Sequence, residues 1–228
     1  MEQLIDVLFY IHVIAGTVSL IMFWIPVFAQ KRKGLHTAIG KWYVYCMWAV
    51  VITAFLLSVK NFTIGRYNIA FLLGFLSLVT ANPLWYAIRI MKSKKTHTDT
   101  FLLTYLILHI AIVLLGGSLL IYGLFYVETS AKYLMIIFGS LAVLDIRELL
   151  RVREMKSSQP DWYKVHYSGM ITTGIAAYTA FFAFGGSRFL ANILTNEWQL
   201  IPWTLPAVIG ILSIRIMNYR RKRKVSLA

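Results

Sequence analysis

Apolar residues gather into seven long runs along the chain, and the links between them hold most of the charges. The runs cover residues 4–29, 42–60, 69–91, 101–126, 131–146, 165–185 and 200–217. A hydrocarbon layer about 30 Å thick takes roughly 20 apolar residues of helix. Inside lipid the backbone must satisfy its own hydrogen bonds, which a helix does. The pattern therefore predicts an all-α fold: one integral-membrane domain over residues 1–228, a bundle of seven transmembrane helices. Every link is short, so no separate soluble domain is expected. The fifth and seventh runs are the shortest.

Polar positions refine the helices. In the first run His12, Gly16 and Ser19 fall at spacings of four and three, which places them on one helix face. Pro26 lies near its far end. The second run opens on Trp42, Tyr43, Tyr45 and Trp48, the aromatic belt of a membrane interface. The third contains Asn82-Pro83. Proline removes one N–H and frees a carbonyl in the preceding turn, so Asn82 or a neighbouring helix is expected to supply a donor. The fourth has Tyr105 and His109 on one face, then Gly116, Gly117 and Gly123. The fifth ends at Asp145, and the first half of the loop Arg147–Lys164 is expected to extend it as an amphipathic helix before a turn at Ser157–Pro160. The sixth shows Gly169, Thr172, Thr173, Ala176, Ala177 and Ala180. Small residues let helices approach closely, so runs one, four and six are expected to pack centrally, with Gly117 and Gly169 at close crossings.

Composition and charge then set orientation and narrow the function classes. The chain is 59% hydrophobic, against about 45–50% for soluble domains. The net charge is +14, from 23 Lys and Arg against 9 Asp and Glu. Nineteen of the 23 fall in alternate links and in the C-terminal tail. Positive residues stay cytoplasmic, so the N-terminus is expected outside and the C-terminus inside, in agreement with seven crossings. The cell membrane, a bacterial inner membrane, is the expected location, with anionic headgroups as partners of the cytoplasmic face. No basic face or recognition module points to nucleic acid. Cys46 is the single cysteine, which excludes an intrachain disulfide and a cysteine-based metal site. Met1–Asp6 holds two acids and no base, so the first helix is expected to stay in the mature protein.

Ionisable groups within membrane spans are costly and mark functional sites by default. His12 and His109 lie within runs, and His36, Asp145 and His166 at the inner edge. His12 and His109 each sit about 12 Å deep, from opposite faces, so a shared haem is geometrically allowed but not indicated. His36 and His166 match better in depth. With Asp145 they form a candidate set for zinc or non-haem iron, and Tyr43 or Tyr167 could orient an imidazole. The plainer alternative is that His36 and His166 contact headgroups or helix ends. No short metal signature, nucleophile elbow, Walker loop or dinucleotide fingerprint occurs, so no enzyme class is indicated.

The run His12-x-x-x-Gly16, then Gly34-Leu35-His36-x-x-x-Gly40-x-x-Tyr43, resembles the start of an uncharacterised bacterial family of predicted multi-pass membrane proteins, of the domain-of-unknown-function type. His166-x-x-x-Met170 followed by Thr179-Ala180-Phe181 resembles its later motif. Thr80–Tyr86 and Ala177–Gly186 look like Bacteroidota-type members. The resemblance implies a membrane location and marks His12, His36 and His166 as motif positions. It does not include His109, which ranks behind them, and it implies no activity.

Three functions are expected in this order: a histidine-based metal- or haem-binding, redox-capable membrane protein; a transporter or channel for a small solute or protons, with Asn82-Pro83 as a helix break; and a non-catalytic scaffold or sensor.

Overall fold

The computed structural model describes residues 2–29, 34–129, 131–186 and 201–226. Among these residues it is helical throughout, with seven α-helices and no strand. They are α1 Glu2–Phe28, α2 Leu35–Thr63, α3 Tyr67–Arg89, α4 Asp99–Phe125, α5 Ala131–Ser157, α6 Trp162–Ala180 and α7 Ile201–Ser226. A π-helical turn, Phe181–Gly185, continues α6. Each apolar run has become one helix. The cationic turn Lys31-Arg32-Lys33 and the segment from Ser187 to Leu200 lie outside the described residues.

Local chemistry sets the ends. Gly34, at φ 129°, turns the chain into α2, a backbone that side chains beyond glycine rarely adopt. Helix α2 therefore starts well before the aromatic belt and takes His36 into its first turn. Gly65, at φ 76°, serves the α2–α3 turn. Thr98 Oγ1 accepts the Phe101 N–H at 3.2 Å and starts α4. Asp161 Oδ1 accepts the Lys164 N–H at 3.2 Å and starts α6. Both are N-caps of the usual kind.

Five helices are long and apolar enough to cross a membrane: Ile5–Phe28, Leu35–Thr63, Tyr67–Arg89, Asp99–Phe125 and Ile201–Arg223. The surface agrees. Val7, Tyr10, Ile14, Ile21 and Phe28 of α1, and Val208, Ile209, Leu212 and Ile216 of α7, all face outwards. Apolar surface on that scale calls for lipid rather than water. Helix α5 differs, because its second half is charged from Asp145 onward. It is nonetheless about 40 Å long and packs along the length of α4.

Helix α3 stands at the centre, against α2, α4 and α6. Helix α1 packs on α2 and touches α6, and α7 packs on α6. The expectation that helices one, four and six form the core is corrected: among the described residues α1 and α4 do not pack together, and α3 and α6 carry the middle. Small residues do mark the close crossings, but not all those expected. A Cβ on Gly139 would lie 2.7 Å from the Leu120 nitrogen and 2.8 Å from the Gly116 carbonyl oxygen. One on Gly169 would lie 2.7 Å from Ala87 Cβ. One on Gly117 would meet nothing within 4 Å, because that face of α4 points away from α5.

Three apolar clusters fill the interior. Tyr43, Met47 and Leu84 join α2 to α3, with Phe23 and Met170 against them. Leu72, Phe75, Ile112, Leu119, Val127 and Met135 join α3, α4 and α5 at one end. Ile90, Phe101, Leu102, Tyr105 and Met155 join the same helices at the other. That second end also holds the end of α1, the start of α2, the α3–α4 and α5–α6 links and the last turns of α7, so it is the basic end of the molecule.

Candidate functional site

Three helices bring together a group of polar side chains that runs from buried to exposed. Asn82 comes from α3, Tyr105 and His109 from α4, and Asp145, Glu148 and Arg151 from α5. Helices α4 and α5 are joined by a short link and run antiparallel, so positions equally far from the link face each other. Tyr105 thus meets Glu148, and His109 meets Asp145.

His109 is only 5% exposed. Its Nε2 lies 3.2 Å from Asn82 Nδ2. The amide nitrogen can only donate, so Nε2 holds a lone pair and the ring proton sits on Nδ1. That atom lies 3.3 Å from Asp145 Oδ1, within ion-pair range but off the line of a hydrogen bond. The Tyr105 ring lies against the imidazole, centroids 4.2 Å apart. Tyr105 donates its hydroxyl proton to Glu148 Oε2 at 2.7 Å. Arg151 Nη1 donates to both oxygens of Glu148, at 2.9 and 2.8 Å. Asp145 and Glu148 stand three residues apart on α5, adjacent on one face. The polar groups thus lie in sequence from His109 towards the exposed Arg151 guanidinium at the basic end.

Electrostatics fit that course. Partial burial pushes the Glu148 carboxyl up, but the hydrogen bonds from Tyr105 and Arg151 and the Arg151 charge outweigh it, holding Glu148 below the usual glutamate range. Its partner Arg151 is held above its ordinary value, first by the bond to Glu148. On the opposite side of His109, the Leu72–Phe75–Ile112–Leu119 cluster is apolar and closed. Phe75 is 1% exposed and fills the space beside Gly116 at the α4–α5 crossing. The site therefore faces the basic end.

The histidines ranked first in the sequence are placed apart from this group. His12 Nδ1 lies 2.9 Å from Thr53 Oγ1 on α2. Thr53 gives its own proton to the Ala49 carbonyl at 2.6 Å, so His12 donates. His36 Nδ1 donates to the Pro26 carbonyl of α1 at 2.9 Å. His166 Nδ1 donates to the Ala87 carbonyl of α3 at 2.9 Å. Both carbonyls lie in the last turn of their helix, where acceptors lack intrahelical donors. At Ala87 the reason is visible: the Met91 N–H goes to Ile88 instead. His36 and His166 are thus each engaged with a helix end. Asp145 is not with them; it faces His109. Tyr43 bonds Thr173 at 2.8 Å, and Tyr167 donates to Asn218 Oδ1 of α7 at 2.5 Å, so neither orients a histidine. Among the described residues no group of three or more His, Cys, Asp or Glu is arranged to hold a metal ion. Asn82, expected to serve the turn before Pro83, gives its Nδ2 to His109.

Sequence reasoning placed Tyr105 on one face with His109 but gave it no role, assigned none to Glu148 or Arg151, and ranked His109 behind the other histidines. The signal was present: two i, i+3 or i, i+4 pairs, Tyr105/His109 and Asp145/Glu148, lie at matching distances from one short link.

Comparison of the chain with known protein families, with curated proteins and with solved structures gives no match.

Proposed function

We propose that this is a proton-handling integral membrane protein, of the transporter or channel class, in which His109 and Asp145 pass protons to and from the cytoplasmic face. One observation carries the reading: an imidazole, almost fully buried midway along an apolar helix, lies between an amide and a carboxylate. Such groups in a membrane span are retained for function, and histidine changes charge near neutral pH.

In the proposed cycle a proton arriving at Nε2 makes His109 an imidazolium. Asp145 accepts the proton from Nδ1, which leaves a neutral ring protonated at Nε2, and the next turnover begins once the ring has returned its proton to the Nδ1 position. The carboxyl then releases it along the Glu148–Arg151 face to water. The apolar cluster around Phe75 closes the other side in this state, as hydrophobic constrictions do in channels, so complete transfer across the membrane requires that cluster to open.

The same reading places the protein in a bacterial inner membrane with seven crossings, the N-terminus outside and the basic end in the cytoplasm. The charge split supports this. So do Lys94 over Trp162, at 4.5 Å to the ring centre, and Arg221 over Tyr163, at 5.8 Å: cations and aromatics grouped at one end suit an anionic headgroup layer. A reporter fused after Ala228 is expected to be active only as a cytoplasmic one.

The decisive test is proton flux. Protein in vesicles with an internal pH dye, driven by a potassium diffusion potential, should move protons faster than protein-free vesicles. His109→Asn and Asp145→Asn should each remove that excess. Parent flux no faster than empty vesicles, or both variants running at the parent rate, overturns the proposal.

A further inference from the structure

We propose that Asn82 Oδ1 and the Val79 carbonyl oxygen form a paired-acceptor site for one water molecule, which holds the Asn82 amide in register with His109. Asn82 is 8% exposed, and its Oδ1 is buried with no hydrogen-bond partner among the described residues. A buried amide oxygen without a donor is costly, and native proteins satisfy such groups, often with a bound water.

The second acceptor follows from the next residue. Pro83 lies inside α3 and has no N–H, so the carbonyl four residues earlier, on Val79, receives no helical donor from it. Helical side chains lean back over the preceding turn, which puts the Asn82 amide over the turn containing Val79. The neighbouring hydroxyls are engaged locally: Ser77 Oγ donates to the Gly74 carbonyl at 2.8 Å and Thr80 Oγ1 to the Leu76 carbonyl at 2.7 Å. Two acceptors in one turn call for a small ligand with two donors and no side chain to clash, which is the chemistry of water.

The consequence falls on His109. An amide can present either end to the imidazole. A water on Oδ1 fixes Nδ2 towards Nε2, which keeps the ring proton on Nδ1, facing Asp145. Asn82 is thus a positioning residue for the proton relay, and the functional meaning of the site rests on that reading, though the site itself does not.

The test is infrared spectroscopy of the membrane-reconstituted protein in ordinary water and in water enriched in oxygen-18, with nitrogen-15 resonances of His109 recorded in parallel. The parent should show a sharp O–H stretching band that shifts with the oxygen isotope, and a ring protonated at Nδ1. Asn82→Leu and Pro83→Ala should each remove the band and shift His109 towards the Nε2-protonated tautomer. Pro83→Ala returns an N–H to the Val79 carbonyl and leaves Asn82 and His109 intact, so it decides alone if Asn82→Leu does not fold. No such band in the parent, a band that survives Pro83→Ala, or an unchanged His109 tautomer overturns the site. Proton flux that ignores His109→Asn while the band behaves as described overturns the relay and leaves the water site standing.

Discussion

Tyr43 donates its hydroxyl proton to Thr173 Oγ1 at 2.8 Å, and this bond ties α2 directly to α6. The direction follows from Thr173, which gives its own proton to the Met170 carbonyl at 2.8 Å. Tyr43 stands seven residues beyond His36, and Thr173 seven beyond His166, so the bond lies one layer above both histidines. Tyr43→Phe and Thr173→Val should each lower stability by about 0.5–1.5 kcal/mol. The double variant should lose less than the sum, because the two changes delete one bond. Additive losses in thermal unfolding in detergent would show that the bond contributes nothing.

The α4–α5 crossing should be the most sensitive packing site. A side chain on Gly139 meets backbone atoms of α4, which cannot move aside as a flexible side chain can. Gly139→Leu should cost about 1–3 kcal/mol, whereas Gly117→Leu, with open space around it, should be close to neutral. Equal melting temperatures for the two variants would contradict the crossing.

His36 and His166 should act as donors to helix ends. His36→Ala and His166→Ala should each lower stability by about 1 kcal/mol, with the metal content of the purified protein unchanged. His36→Gln, which keeps an N–H donor, should recover part of the loss. A fall in bound metal in either alanine variant would instead restore the metal-ligand reading.

Two groups at the basic end should shape the response to acid. Burial lowers the pKa of His97, whose ring stacks on Phe101 with centroids 5.0 Å apart. The folded state therefore favours the neutral ring, and this contribution is present above about pH 6.5 and lost as pH falls below it. Glu148 is held below the usual glutamate range, so its contribution is present above about pH 4.3 and lost at lower pH. His97→Phe should flatten the decline in melting temperature between about pH 7 and 5, and Glu148→Gln the decline below about pH 4.5. Parallel curves for parent and variants would remove either group from the account.

The helices were legible because a bilayer demands long apolar runs, and a period of that length is hard to mistake. The start of α2 was not, since Leu35–Lys41 is mixed in character and only the positive φ at Gly34 lets the helix begin there. Burial of His109 was half legible. The sequence places it deep in α4, but its partners come from α3 and α5, and pairing across helices depends on register. His36 and His166 were read together because their depths match. Depth does not determine azimuth: one is directed at the end of α1 and the other at the end of α3.

Helix α5 is long enough to cross a bilayer but too charged in its second half to partition there unaided. Its polar face is covered by α4, through the Gly116–Gly139 contact and the His109–Asp145 and Tyr105–Glu148 pairs. Under seven crossings, membrane integration of α5 during synthesis then depends on α4 being retained beside it at the translocon, so the two enter as a hairpin rather than in sequence. Glycosylation mapping should find α5 inserted efficiently behind α4 and poorly behind an unrelated apolar segment. Equal insertion in both settings would make α5 self-sufficient. Where α5 does depend on α4, substitutions such as Gly139→Leu act first on biogenesis, lowering the amount of protein that reaches the membrane before any effect on proton movement could be read.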